Sequence, residues 1–179
     1  MLLPGHIGGS YLVAIACSEL FRPRTDRTRR NRTALVLFGL AMGLAPDVDM
    51  LPALVRTDWA FLQAVSEHRS SLLHTPPFAL VVGLATLALR TRDRWLWAAV
   101  GFFAVLGHLV LDSITIGPGV MWLYPWSETF YGWNLANTRY GRDWGDAWLV
   151  RYITHPLFLS EVALLAAAAF IARRRTITA

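Results

Sequence analysis

Five apolar stretches, at residues 4–21, 33–46, 72–89, 95–114 and 153–172, are separated by loops whose charge alternates. A bilayer core about 30 Å thick needs ~20 apolar residues of helix to cross it, and all but the second stretch approach that length. A backbone surrounded by lipid must satisfy its hydrogen bonds within the segment, so these stretches predict helices. The expected fold class is all-α: a polytopic bundle of about five transmembrane helices, forming a single integral membrane domain over residues 1–179. Composition agrees, because the chain is 55% apolar and only 16% charged, against roughly a quarter charged in soluble domains.

The chain has no lysine, and its arginines fall mainly in three clusters. Arg22, Arg24, Arg27, Arg29, Arg30 and Arg32 follow the first stretch, Arg90, Arg92 and Arg94 the third, and Arg173 to Arg175 the fifth. Short arginine-rich loops stay in the cytoplasm, so helices one, three and five are expected to run inward from an external N-terminus. The expected location is a bacterial cytoplasmic (inner) membrane. The net charge of +5 sits in local loops, so no nucleic-acid partner is expected. No basic residue precedes the first apolar run, which therefore reads as a retained helix and not a secretory signal. Cys17 is the sole cysteine and cannot close an intramolecular disulfide.

Segments 47–71 and 115–152 then lie on the outer side. The second holds Trp122, Trp126, Trp133, Trp144 and Trp148 with Tyr124, Tyr131, Tyr140 and Tyr152. Such amphipathic rings settle at the level of lipid headgroups, making membrane lipids expected partners. The same rings suit a lid or wall for a lipid substrate.

Ionisable groups at membrane depth are costly and mark functional interiors. His6 lies 16 residues from Arg22, Asp47 15 from Arg32, His74 16 from Arg90 and His108 14 from Arg94. At ~1.5 Å per helical residue, all four reach one layer ~21–24 Å above the inner boundary. Pro46 is expected to end the short second helix and turn Asp47 and Asp49 into that layer, on a common side in an extended or turn segment. His108 and Asp112, four apart, share one helix face. Glu67, His68 and Arg69 add an imidazole and a guanidinium suited to clamping an anion. His155 is expected to be a surface or supporting histidine.

Imidazoles mixed with carboxylates suit transition metals, zinc first and manganese second. The expected ligands are His6, Asp47, Asp49, His68, His74, His108 and Asp112. They exceed the needs of one tetrahedral ion and leave room for two ions ~3.5–4 Å apart. Asp47 or Asp49 is the expected general base and Arg69 the substrate clamp. A metal transporter or sensor, and a non-catalytic protein whose histidines and aspartates pair with each other, are the rival readings.

The order His6, Pro46-Asp47-Val48-Asp49, His68-Arg69, His74-Thr75, His108 with Asp112, Thr115 and Leu123-Tyr124-Pro125 resembles the YdjM-like family of membrane-bound metal-dependent hydrolases. The resemblance covers roughly residues 5–126, with Thr75 where the family carries serine. It is distantly similar to the zinc-dependent phospholipase C and P1 nuclease group. The resemblance implies metal-activated water acting on a phosphoester or lipid-like substrate.

Overall fold

The computed structural model describes residues 3–21, 29–50, 71–90, 93–114, 119–133 and 148–177. These residues form α1 (Leu3–Leu20), α2 (Arg29–Leu44), α3 (Pro76–Leu89), α4 (Arg94–Ser113), a short α5 (Trp148–Ile153) and α6 (Pro156–Ile177). No strand occurs among the described residues beyond one antiparallel bridge between Val120 and Tyr131. The fold is all-helical, with a helix in each of the five apolar stretches.

Prolines set the boundaries. The α-helix of α2 stops at Leu44 and tightens into a 3₁₀ turn over Ala45–Met50, because Pro46 has no N–H for the helical ladder and restricts the residue before it. A second 3₁₀ turn, Leu72–His74, precedes α3. Thr75 between them is extended, with φ −129° and ψ 151°, and its hydroxyl donates to the Leu72 carbonyl at 2.7 Å. Pro76 then opens α3 in the first-turn position, where a missing N–H costs nothing. The third apolar stretch is thus a turn followed by a helix.

α4 is the central element, packed against α1, α2 and α3, while α6 lies along α1. Ala14 and Cys17 of α1, Leu35 of α2 and Val100 of α4 form a buried cluster, with Val13, Val36, Phe38, Leu96 and Trp97 around it. At one end, Glu19 accepts from Arg32 Nη2 at 2.8 Å and from Arg175 Nη1 at 2.9 Å. That bond pair gathers the arginine-bearing ends of α1, α2 and α6.

Among the described residues, two helical segments, Arg94–Ser113 and Pro156–Arg175, are long and apolar enough to cross a membrane; Pro76–Leu89 is apolar but shorter. Glycine, serine and His6 dilute the apolarity of α1, and α2 has 16 residues. α6 turns Leu159, Val162, Leu165 and Phe170 outward, and α3 turns Leu80, Val81, Leu84 and Leu89 outward. Aliphatic surface this extensive is rare on soluble monomers and ordinary against lipid.

A buried histidine and aspartate centre

The centre forms at the end of the bundle opposite Glu19 and its arginines. His6 sits in the first turns of α1, Asp47 and Asp49 on the 3₁₀ turn after α2, and His74 on the turn before α3. His108 and Asp112 come from α4, one helical turn apart. His6, His74, His108 and Asp112 are at most 1% exposed, while the side chains of Asp47 and Asp49 are 26% and 20% exposed. Four separate elements therefore deliver six ionisable groups to one level, four of the groups all but excluded from water.

The donor atoms are regularly spaced. His74 Nε2 lies 3.3 Å from His108 Nε2, 3.4 Å from Asp47 Oδ1 and 3.8 Å from Asp112 Oδ2. His108 Nε2 lies 3.6 Å from both Asp47 Oδ1 and Asp112 Oδ2. Ligands bonded tetrahedrally at ~2.0–2.2 Å, as nitrogen and oxygen bind zinc, stand roughly 3.3–3.6 Å apart. The five edges match that spacing to within a few tenths of an ångström, and the donor set fits a divalent transition metal.

Tautomer chemistry points the same way. His108 Nδ1 is 2.8 Å from the carbonyl oxygen of Gly43. A carbonyl only accepts, so Nδ1 carries the hydrogen and Nε2 is the nitrogen turned to the cage. His74 turns Nδ1 outward, 3.5 Å from Ser71 Oγ and 3.8 Å from Asp49 Oδ2. Two carboxylates converge on the imidazole nitrogens, and either a protonated imidazole or a bound cation would offset their mutual repulsion.

His6 occupies a different position from the other two imidazoles. Its Nε2 meets Asp112 Oδ1 at 3.4 Å, and its ring stacks on that of His108 with centroids 3.8 Å apart and planes 14° apart. An imidazole ligates through a lone pair in its own plane, and two nearly parallel, stacked planes share no nearby point. His6 and His108 thus address opposite oxygens of Asp112. His6, Asp47 and His108 form one set of three donors within 4.8 Å of one another, and His74, His108 and Asp112 form another.

Asp47 and Asp49 do not share a side. A 3₁₀ turn advances about 120° per residue, so positions i and i+2 diverge where an extended chain would align them. Asp47 faces Nε2 of His74 and Asp49 faces Nδ1 of the same ring. Both Asp49 oxygens are buried with no hydrogen-bond partner among the described residues. His68, Arg69, Glu67 and Thr115 lie outside the described residues, as do Tyr140 and Trp144. His155 Nδ1 accepts from the Leu157 N–H at 3.2 Å, capping the start of α6.

The aromatic segment is fastened to α4 next to the centre. Ser113, beside Asp112, accepts from Trp122 Nε1 at 2.7 Å through its hydroxyl and from the Trp133 N–H at 2.8 Å through its carbonyl. Trp126 and Trp133 are 88% and 68% exposed. Tyr152 differs from the expected interfacial ring: it is 2% exposed, with its hydroxyl on Glu161 Oε1. Sequence reading missed Glu161, which is fully buried, and the roles of the Gly43 carbonyl and Ser71.

Helices with lipid-suited outer faces around a largely buried histidine and aspartate cage define a helical membrane protein with a polar interior. The chain matches the family described as YdjM inner membrane protein over residues 1–176 and belongs to that family. It is also similar to the inner membrane protein YbcI of Escherichia coli (strain K12), with 31% identity over 144 residues covering 72% of this chain and 74% of that protein. No solved structure matches the chain. The chain is an inner membrane protein.

Proposed function

We propose that this protein is a metal-dependent hydrolase of the inner membrane, with about five spans and its centre toward the extracytoplasmic side. Its substrate in this reading is a phosphoester carried by a lipid or another amphiphile. The observation that carries the proposal is the cage of His74, His108, Asp47 and Asp112, whose donor spacing suits zinc, with manganese as the alternative.

A divalent ion held there would supply an acidified water, with a pKa toward ~7, and polarisation of a phosphoryl oxygen. His74, His108 and Asp112 are the buried donors that would hold it. Asp47 is the cage member that solvent reaches, and where it is not fully engaged by an ion its carboxylate would accept the proton of an entering water. Asp49 and Ser71 orient His74, as Gly43 orients His108. His68 and Arg69 keep their proposed parts, a further ligand and a clamp on the substrate anion. The exposed Trp126 and Trp133 favour a substrate arriving from the headgroup layer.

Transport is less well supported. In α3 the inner half offers Thr86 as its polar side chain, and that hydroxyl donates to the Val82 carbonyl at 2.7 Å, leaving no polar step for an ion. A metal-free polar core is the sharper rival. Elemental mass spectrometry of detergent-purified protein separates the two. About one or more zinc or manganese ions per chain, lost in a folded His108→Ala, Asp112→Ala variant, is the expected result. Protein free of metal after mild purification and dialysis against zinc would leave imidazolium–carboxylate pairing as the better account.

A further inference from the structure

α6 carries a carboxylate that the centre does not use. Glu161 is 0% exposed in a helix with no other ionisable residue until Arg173. One oxygen accepts from the backbone N–H of Gly5 at 3.3 Å and the other accepts from the Tyr152 hydroxyl. Gly5 lies in the first turn of α1, where amides have no acceptor within their own helix, and the helix dipole there favours an anion. A buried carboxylate is costly unless such groups satisfy it.

The contact is part of a register. Gly5 pairs with Glu161, and Glu19 pairs with Arg175, both at a separation of 156 residues. Between them Gly8 abuts the backbone of Leu164, which repeats the same offset. α1 and α6 therefore run parallel in constant register, tied by polar bonds at both ends and by close backbone approach in between. A slip of one helical turn would move His6 by ~5.4 Å, out of reach of Asp112.

We infer that Glu161, held by Tyr152, is a positioning residue: it clamps the first turn of α1 and thereby sets His6 against Asp112. Its geometry stands independently of any metal; its consequence for chemistry rests on the hydrolase reading above. Asp112 bonds to His6 through one oxygen and faces the cage with the other. Loss of the clamp thus loosens a ligand through its supporting partner.

The test is carbethoxylation of histidines by diethyl pyrocarbonate in metal-stripped protein, read peptide by peptide. Glu161→Ala is expected to raise His6 labelling about tenfold while His74 and His108, on other elements, stay within about twofold. Glu161→Gln, whose amide oxygen still accepts from Gly5, is expected to stay within about twofold of the unsubstituted protein at His6. His6 remaining protected in Glu161→Ala overturns the inference, as does an equal rise at all three histidines, which would mean general loosening. Zinc titration is the parallel readout, with the Glu161→Ala dissociation constant expected to rise ~10–100-fold. Unsubstituted protein that takes up no zinc overturns the metal reading, and the labelling still decides the clamp.

Discussion

Gly8 offers a test of how tightly the α1–α6 contact controls the centre. It lies two residues past His6, and a Cβ built there would stand 2.7 Å from Leu164 C and Leu165 N, and 2.9 Å from Leu164 O. Ordinary contact starts at 3.4 Å, and the opposing atoms are backbone, so Gly8→Ala forces the helices apart by about 0.7 Å in a close-packed interior. Overpacking of this kind costs about 1–3 kcal/mol. The same shift at His6 opens its 3.4 Å contact with Asp112 to roughly 4 Å, beyond hydrogen-bond reach. Zinc affinity is expected to fall ~10–100-fold. The assay is chelator-competition zinc titration beside thermal unfolding in detergent. Gly9→Ala is the control, since its Cβ meets the flexible Leu111 Cδ1 at 2.7 Å and the next atom, Cγ, at 3.8 Å. A Gly8→Ala protein that binds zinc and melts like the unsubstituted chain would refute the reasoning. So would equal damage from Gly9→Ala.

Two further outcomes follow from the same geometry. Asp47→Asn keeps the three buried donors, so zinc content should persist while hydrolysis of a chromogenic aryl phosphodiester falls ~10²–10⁴-fold; a rate unchanged by the substitution removes Asp47 as the base. A cysteine placed at the exposed Glu128 should react with an impermeant maleimide in intact spheroplasts, against low background because Cys17 is 5% exposed. Labelling confined to lysed cells would reverse the proposed orientation.

The layer containing the centre was legible because two regularities hold along the chain. A helix rises by a fixed increment, and arginine clusters mark a common origin, so counting from Arg22, Arg32, Arg90 and Arg94 brings His6, Asp47, His74 and His108 to one height. The local shapes were less legible. Pro76 and Pro156 each open a helix, a first-turn signature that would have moved the starts of α3 and α6 inward from residues 72 and 153. The i, i+2 rule misled for Asp47 and Asp49 because the backbone there is 3₁₀. Glu161 was invisible for another reason: its partner lies 156 residues away, and only packing sets α1 beside α6 in that register.

The division of labour around Asp112 explains why so many ionisable groups gather where a smaller set would bind an ion. Asp112 and His108 are one turn apart on α4, so a single rigid helix fixes their relation. α4 cannot fix the opposite oxygen of Asp112, which His6 holds from α1. α1 in turn is held by Glu161 from α6, and His108 by the Gly43 carbonyl from the end of α2. Each cage donor on a helix is thus braced by a neighbouring helix, whereas Asp47 and His74 sit on short turns next to prolines. The braced side is sealed and the turn side is where solvent reaches Asp47. In the proposed hydrolase, substrate and water would enter over the two turns, past the residues best able to adjust, while the α4 donors keep their geometry.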